Sequence, residues 1–188
     1  YLITRKKGSK KSFWTAKTMA VGAMCMALSS VLSLIKLWPM PMGGSVTPAS
    51  MLPLLLFAYC YGVGPGMVLG ALYGVMQFLL DGMAWAALGA IPNLLDYPIA
   101  FGLLGLAGCF RGSKAKMTAG FVLGCFGRFM ASFLSGFIFY GQYAPEGVNP
   151  VWYSLTYNGS YMLVECIICI VLGLLVGERL AKELKKVA

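Results

Sequence analysis

The chain consists of long apolar stretches separated by short polar ones. No charged residue occurs between Leu37 and Leu80, a run of 44 positions. As α-helix this run would be about 66 Å long, enough to cross a hydrocarbon layer about 30 Å thick twice. The glycines and the proline of residues 62–66 supply the break between the two crossings. The same pattern along the rest of the chain predicts six helices, over residues 13–37, 48–62, 65–80, 92–110, 117–141 and 153–178.

The second and third predicted helices are short for full crossings, so a tilted or partly re-entrant course is an option for one of them.

Composition supports an all-α integral membrane protein. Apolar residues make up 59% of the 188 and charged residues 11%, against roughly 45–50% and 25% in soluble domains. Because so few residues are polar, we expect most of the surface of the folded chain to contact lipid. We therefore predict a single membrane domain over residues 1–188.

The positive charge of the chain is concentrated in three clusters, within residues 5–17, 111–116 and 179–186. Basic clusters between long apolar stretches are typical of the positive-inside rule, and less so of a surface that binds nucleic acid. An even number of spans brings all three clusters to one side of the membrane. The sequence therefore predicts six transmembrane helices with both termini in the cytoplasm, preceded by a basic cytoplasmic segment over residues 1–12.

The residue types in the chain leave few routes to catalysis. Histidine is absent, which excludes Ser/His/Asp and Cys/His catalytic arrangements and histidine-based zinc sites. Neither GxxxxGK[ST] nor GxGxxG occurs, so no segment is visible that would bind ATP or a dinucleotide. The six cysteines lie in or beside apolar stretches, as buried small hydrophobic residues do. We expect a protein that is not an enzyme and has no cofactor or metal. A membrane enzyme that uses Asp96 or Glu165 as a general base is the minor alternative.

Three charged residues, Asp96, Arg128 and Glu165, fall inside the predicted helices. Charges in a membrane-embedded helix are costly and by default indicate a site. Counting from the helix ends puts Asp96 about 6 Å below the outer end of the fourth helix. Arg128 and Glu165 fall near the middle of the membrane, where we interpret them as a structural ion pair. Asp96 is instead expected at a ligand site.

Polar and aromatic side chains share the depth of Asp96 on three successive helices. On the fifth helix, residues 128, 132, 136 and 140 recur every four positions and therefore share one face. The whole set in the outer half comprises Asp96, Tyr97, Ser132, Tyr140, Tyr153 and Asn158. A carboxylate, several aromatic rings and an amide suit a small, aromatic, cationic ligand. The alternative is a belt of interfacial tyrosines, with Asp96 or Glu165 paired to Arg128.

Small residues recur along the first helix at spacings of three and four. They are Ala16, Ala20, Gly22, Ala23 and Ala27. Such a face lets a second helix approach closely. From the pattern alone, docking to a partner subunit and ordinary packing within the chain are equally good interpretations.

The stretch from Gly136 to Glu165 resembles the helix 5–6 region of the ThiT family, the thiamine-specific S components of energy-coupling-factor (ECF) transporters. The most specific part comprises Gly141-Gln142-Tyr143, Tyr153-Ser154-Leu155 and Asn158-Gly159. The Asp96-Tyr97 pair and Ala23-x-x-x-Ala27 fit the same pattern, and the likeness covers about residues 15–180. It implies a six-helix protein of the bacterial cell membrane with an outward-facing vitamin pocket. It also implies two kinds of partner, a transmembrane coupling protein and two ATPase subunits that use ATP.

The resemblance further implies roles for individual residues. Asp96 stands where the family usually has a ligand-binding glutamate, and Tyr97, Tyr153 and Asn158 match family residues at the ligand. Trp85 falls near an aromatic residue of a loop. Ala23 and Ala27 match the surface that docks on the coupling protein.

Two positions depart from the family pattern. Ser132 stands in place of a histidine beside the ligand, and Tyr140 in place of a stacking tryptophan. A tyrosine offers less stacking area than a tryptophan, so the pocket is expected to be larger and more polar at one end. Thiamine is the expected ligand, and a thiamine precursor or another small heterocycle is the alternative.

Overall fold

A computed structural model describes residues 14–41 and 44–187, so the predicted basic segment 1–12 lies outside the described residues. Six helices account for most of the described chain: α1 Ala16–Leu34, α2 Leu52–Tyr61, α3 Val63–Asp81, α4 Ala90–Cys109, α5 Lys114–Phe139 and α6 Pro150–Lys186. Between α1 and α2, the two-residue strands β1 Trp38–Pro39 and β2 Ser45–Val46 pair antiparallel. Short 3₁₀ helices cover Met83–Leu88 and Gly141–Tyr143.

Five of these helices are long and apolar enough to cross a membrane, and α2 is the short one. The prediction of a helical membrane architecture is therefore confirmed, and the boundaries of the second helix are corrected. Its ten residues span only about 15 Å. Leu52 to Cys60 are all buried, because this helix is surrounded by protein and is apolar on every side. It begins at Leu52 instead of residue 48, and non-helical chain from β2 leads into it.

The end of α2 is held at one end of the bundle by hydrogen bonds to its last carbonyls. Gly62, with φ +105°, separates α2 from α3. The Arg111 guanidinium donates to the backbone oxygens of Tyr59 and Cys60 at 3.1 and 2.9 Å. The Tyr61 hydroxyl donates to the Leu184 carbonyl at 2.6 Å. The clusters 111–116 and 179–186 thus occupy the same end of the bundle, as the sequence predicted. Which side of the membrane this end faces stays a prediction.

Helices α3 and α4 approach each other so closely that glycine is required at their contact. A Cβ atom on Gly70 would lie 2.2 Å from the Phe101 carbonyl oxygen. This backbone contact fixes α4, whose hydrogen bonding changes to a π-helical turn over Leu95–Ile99. Pro98 lies inside that turn and lacks the N–H that a regular helix would use. The irregular turn carries Asp96 and Tyr97.

The small residues of α1 are divided between two faces. Gly22 is buried, and a Cβ there would meet Leu69 at 3.0 Å. Ala16, Ala20, Ala23 and Ala27 are exposed. Gly22 therefore serves packing within the chain and does not belong to the outward surface, which consists of the alanines.

Candidate functional site

A cavity of about 290 Å³ opens among the helices at the end of the bundle opposite Arg111. Here α1, α3 and α5 end while α4 and α6 begin, and the segment around β1 and β2 forms one side. The shortness of α2 makes room for this cavity, because the second helix does not extend into this half of the bundle. The volume lies at the lower end of the range for small-molecule sites, about 300–1,000 Å³.

Six side chains that the sequence placed at one depth all line this cavity: Asp96, Tyr97, Ser132, Tyr140, Tyr153 and Asn158. The seventh predicted ligand residue, Trp85, has its backbone in the short helix Met83–Leu88, and its side chain lies outside the described part of the structure. Helix directions read from the apolar pattern were therefore sufficient to bring these six positions together. Their roles toward a ligand stay predictions.

The Asp96 carboxylate is oriented by hydroxyl groups of α5. The Ser135 hydroxyl donates to Asp96 Oδ2 at 2.8 Å, and the hydroxyls of Ser132 and Tyr140 also lie within hydrogen-bonding reach. Sequence reasoning missed Ser135, which lies beside the four-residue face of α5. Its position three residues after Ser132 was the available signal. Residues three apart lie on the same side of a helix, so both serines of α5 can face Asp96 of α4. These hydroxyl groups therefore hold the Asp96 carboxylate in one orientation at the cavity wall.

The start of α6 forms a second wall, in which polar side chains hold one another. The Ser154 hydroxyl donates to the Phe133 carbonyl of α5 at 2.8 Å. The Asn158 amide nitrogen donates to the Ser154 backbone oxygen at 3.1 Å, and its oxygen accepts from the Tyr161 hydroxyl at 3.1 Å. The ring centroids of Tyr153 and Tyr157 are 5.8 Å apart. Tyr157 and Tyr161 continue the spacing of four from Tyr153, a signal that the sequence contained.

An ion pair between the chain that follows α1 and the last residue of α3 forms the rim of the cavity. Lys36 Nζ lies 2.9 Å from Asp81 Oδ1, and the Gln77 amide donates to Asp81 Oδ2 at 2.8 Å. The Ser33 hydroxyl donates to Gln77 Oε1 at 3.3 Å. This network was not predicted from the sequence, because Lys36 and Asp81 are 45 residues apart.

A second ion pair forms the floor. Glu165 is 1% exposed, and its Oε2 lies 3.6 Å from Arg128 Nη1. The hydroxyls of Thr47 and Ser50, which precede α2, both donate to Glu165 Oε1. The structural pairing predicted for Arg128 and Glu165 is therefore present, and both residues also line the cavity.

The charged side chains of the cavity favour a cation. Two basic and three acidic residues are among its described lining: Lys36, Arg128, Asp81, Asp96 and Glu165. Fully ionised, they carry a formal charge of −1. Among the described residues, no group of three His, Cys, Asp or Glu side chains could hold a metal ion. A cavity with aromatic walls and one excess negative charge suits a small organic cation.

Fold and site together define the class: a multi-pass membrane protein with a polar cavity, of the size of a small solute, at one end of a helical bundle. Residues 19–184 match the model of the thiamine transporter protein family (Thia_YuaJ), and the chain belongs to this family.

Two relatives agree with this assignment, and one solved structure has the same fold. The chain is 40% identical to the thiamine transporter ThiT of Bacillus subtilis, over 72% of this chain and 77% of that protein. It is 31% identical to ThiT of Lacticaseibacillus paracasei over 82% of each. Its fold matches a solved structure of ThiT from Listeria monocytogenes with a TM-score of 0.77 at 21% identity, covering 89% of this chain and 96% of that one.

Family membership confirms the resemblance seen in the sequence. It establishes a multi-pass protein of the bacterial membrane with a transport function and not an enzymatic one. The alternative of a membrane enzyme is accordingly set aside.

Proposed function

We propose that this protein is the substrate-binding S component of an ECF vitamin importer, and that it captures thiamine in the cavity. The observation that carries the proposal is the convergence of Asp96 and the tyrosines on one cavity of negative formal charge. Thiamine has a permanently cationic thiazolium ring and an aromatic, hydrogen-bonding aminopyrimidine ring. Both rings find suitable partners in such a cavity. Thiamine is here the transported cargo and not a cofactor.

Asp96 supplies the counter-charge or accepts a hydrogen bond from the aminopyrimidine amine. The hydrogen bond from Ser135 already orients the carboxylate, so little side-chain entropy is lost when the ligand binds. Tyr140 and Trp85 stack on the ligand rings. The remaining polar residues of the wall form hydrogen bonds to the ligand: Tyr97, Ser132, Tyr153 and Asn158.

Titration of the purified protein with thiamine tests this site. Asp96→Asn keeps the shape of the side chain and removes its charge. We expect it to weaken binding about 10- to 150-fold, the equivalent of one hydrogen bond to a charged group at about 1.5–3 kcal/mol. Glu146→Gln is the matched control, because Glu146 is exposed in the loop before α6 and does not line the cavity. Equal affinities of the Asp96→Asn variant and the wild-type protein would contradict the assignment of Asp96.

A related ligand is the second candidate, and Ser132 and Tyr140 are the observations that favour it. Both residues line the cavity, at positions where the family resemblance led us to expect a histidine and a tryptophan. A thermal-shift panel of thiamine, its pyrimidine and thiazole precursors and other vitamins separates the two candidates. A larger stabilisation by a ligand other than thiamine would replace thiamine in the proposal.

Energy coupling is proposed to proceed through α1. In this proposal Ala23 and Ala27 dock on a transmembrane coupling protein, and two ATPase subunits supply the energy from ATP. The support is that both alanines are exposed while Gly22 faces the interior. Small side chains let a partner helix approach closely, and in lipid such packing provides much of the association.

Ala23→Trp tests the docking surface. We expect the isolated variant to bind thiamine normally, because Ala23 does not line the cavity. Co-purification with the coupling protein and ATP-driven uptake should fall together. Leu163→Trp is the control, since Leu163 is 64% exposed on α6 and places the same bulk on another outward face. Normal assembly and uptake by Ala23→Trp would refute the docking role.

A further inference from the structure

The guanidinium of Arg128 has hydrogen-bonding capacity that the described protein leaves unused. An arginine side chain carries five N–H donors. Its Nε and Nη1 atoms are buried, and no described residue accepts a hydrogen bond from them. Among the described side chains that line the cavity, Arg128 alone has buried polar atoms in this condition. The side chain retains 12% exposure. Buried polar groups are normally hydrogen-bonded, so each exception indicates a missing partner.

Glu165 balances the charge of Arg128 without satisfying these donors. Their nearest atoms, Nη1 and Oε2, are 3.6 Å apart, beyond the 2.7–3.2 Å or so of an N–H···O hydrogen bond. Glu165 Oε1 already accepts from the hydroxyls of Thr47 and Ser50. The guanidinium carbon lies 4.1 Å from the centroid of the Phe101 ring, which covers one face of the group. The unused donors therefore lie along its edge.

The Arg128 guanidinium lies deeper in the cavity than the Asp96 carboxylate, toward its buried end. Arg128 precedes Ser132 by one turn of α5, about 6 Å along the helix axis. Ser132 is at the level of the Asp96 carboxylate. A solute that reaches both residues needs polar groups at two separated points.

We propose that Arg128 is a ligand contact, which donates a hydrogen bond to an uncharged acceptor at the buried end of the bound solute. The acceptor is an alcohol oxygen or a pyridine-type ring nitrogen. An anionic group is disfavoured there, because the Glu165 carboxylate already neutralises Arg128 and the whole cavity carries a formal charge of −1. This inference rests on the proposed function and adds a specificity-determining residue to the same site.

The test combines changes on the protein with changes on the ligand. The probes are thiamine, an analogue with hydrogen in place of the hydroxyl group, and an analogue with CH in place of a pyrimidine ring nitrogen. The variant is Arg128→Met/Glu165→Gln, which removes both charges together and leaves no unpaired buried ion. Isothermal titration calorimetry in detergent gives each affinity.

We expect one analogue to bind the wild-type protein 5- to 50-fold more weakly than thiamine. In the double variant, the affinities for thiamine and for that analogue should differ by no more than a factor of about two. Glu165→Gln alone is the matched control. Its amide oxygen still accepts from Thr47 and Ser50 and the guanidinium is kept. Both affinities should fall by a similar factor because the cavity loses one negative charge, and their ratio, which reports the Arg128 hydrogen bond, should stay near the wild-type value. Arg128→Lys keeps the charge but replaces the planar fork by a point charge. It should lose most of the discrimination, and it provides the measurement if the double variant does not fold.

Three results would overturn this contact while leaving thiamine binding intact. The first is equal discrimination by the wild-type protein and the variants that lack the guanidinium, which would make Arg128 a structural residue only. The second is the absence of any loss with either analogue. The third is tighter binding of thiamine monophosphate than of thiamine, which would indicate an anion site. Failure of the wild-type protein to bind thiamine would instead contradict the proposed function and this contact with it.

Discussion

The contact between α5 and α6 at Gly136 allows a sharp test of the cavity, because one methyl group there disturbs its wall without changing any charge. A Cβ on residue 136 would lie 2.4 Å from Ser154 Oγ and 3.0 Å from Asn158 Nδ2. Separations below 3.0 Å essentially never occur for Cβ atoms, so the Ser154 hydroxyl would have to move by at least about 0.6 Å or rotate away.

That movement has a cost that can be worked from the hydrogen bonds involved. Ser154 Oγ donates to the Phe133 carbonyl at 2.8 Å and accepts from Asn158 Nδ2 at 3.2 Å. Loss of two such bonds at about 1 kcal/mol each, with some overpacking, amounts to about 1–3 kcal/mol. If the cost falls on the conformation that binds ligand, Gly136→Ala weakens thiamine binding about 5- to 150-fold.

Gly159→Ala is the matched control on the neighbouring helix. A Cβ at residue 159 has a single neighbour within 4 Å, the Phe129 ring at 3.8 Å, which is an ordinary contact. The affinities for thiamine are compared by calorimetry, with the melting temperature of each unliganded protein in detergent as the check on folding. Wild-type affinity in Gly136→Ala would refute the reasoning, since the wall of α6 could then move without affecting the site.

Two further predictions concern the framework that holds the cavity. Gly70→Ala should lower the melting temperature of the unliganded protein markedly, since its Cβ would lie 2.2 Å from the Phe101 carbonyl oxygen. Gly64→Ala, with nothing within 4 Å of the new methyl group, should leave the melting temperature nearly unchanged. Similar melting temperatures for the two would show that α3 and α4 are not in backbone contact. Arg111→Ala should destabilise the protein by about 1–3 kcal/mol, because it removes two charge-assisted hydrogen bonds to the last carbonyls of α2. Lys114→Ala, whose exposed side chain lies 3.9 Å from Glu178, should cost about 1 kcal/mol or less in the same denaturation assay; equal losses would contradict the capping role of Arg111.

The sequence by itself determined the number of helices, the common depth of the pocket residues and the shared end of two basic clusters. The physical reason is that the rise of an α-helix is fixed at about 1.5 Å per residue. Once apolar runs define where helices begin and end, the depth of a residue such as Asp96 or Asn158 follows by counting. The resemblance in residues 136–165 added the family, which no periodicity could supply.

Tertiary structure decided that α2 stops half-way through the bundle. The apolar run from Leu37 to Leu80 reads as two helices because burial in protein and burial in lipid select the same residue types. Only the packing of neighbouring helices around Leu52–Tyr61 shows that this segment is enclosed by protein, and that the chain before it forms the side of a cavity.

Tertiary structure also decided the partners of the buried polar groups. Glu165 accepts hydrogen bonds from residues 118 and 115 positions away, Thr47 and Ser50. Helical periodicity relates residues three or four positions apart and carries no information on such contacts. The orientation of Asp96 by Ser135 and the unsatisfied donors of Arg128 likewise depend on how α4, α5 and α6 pack together, which is a property of the assembled bundle and of no single helix.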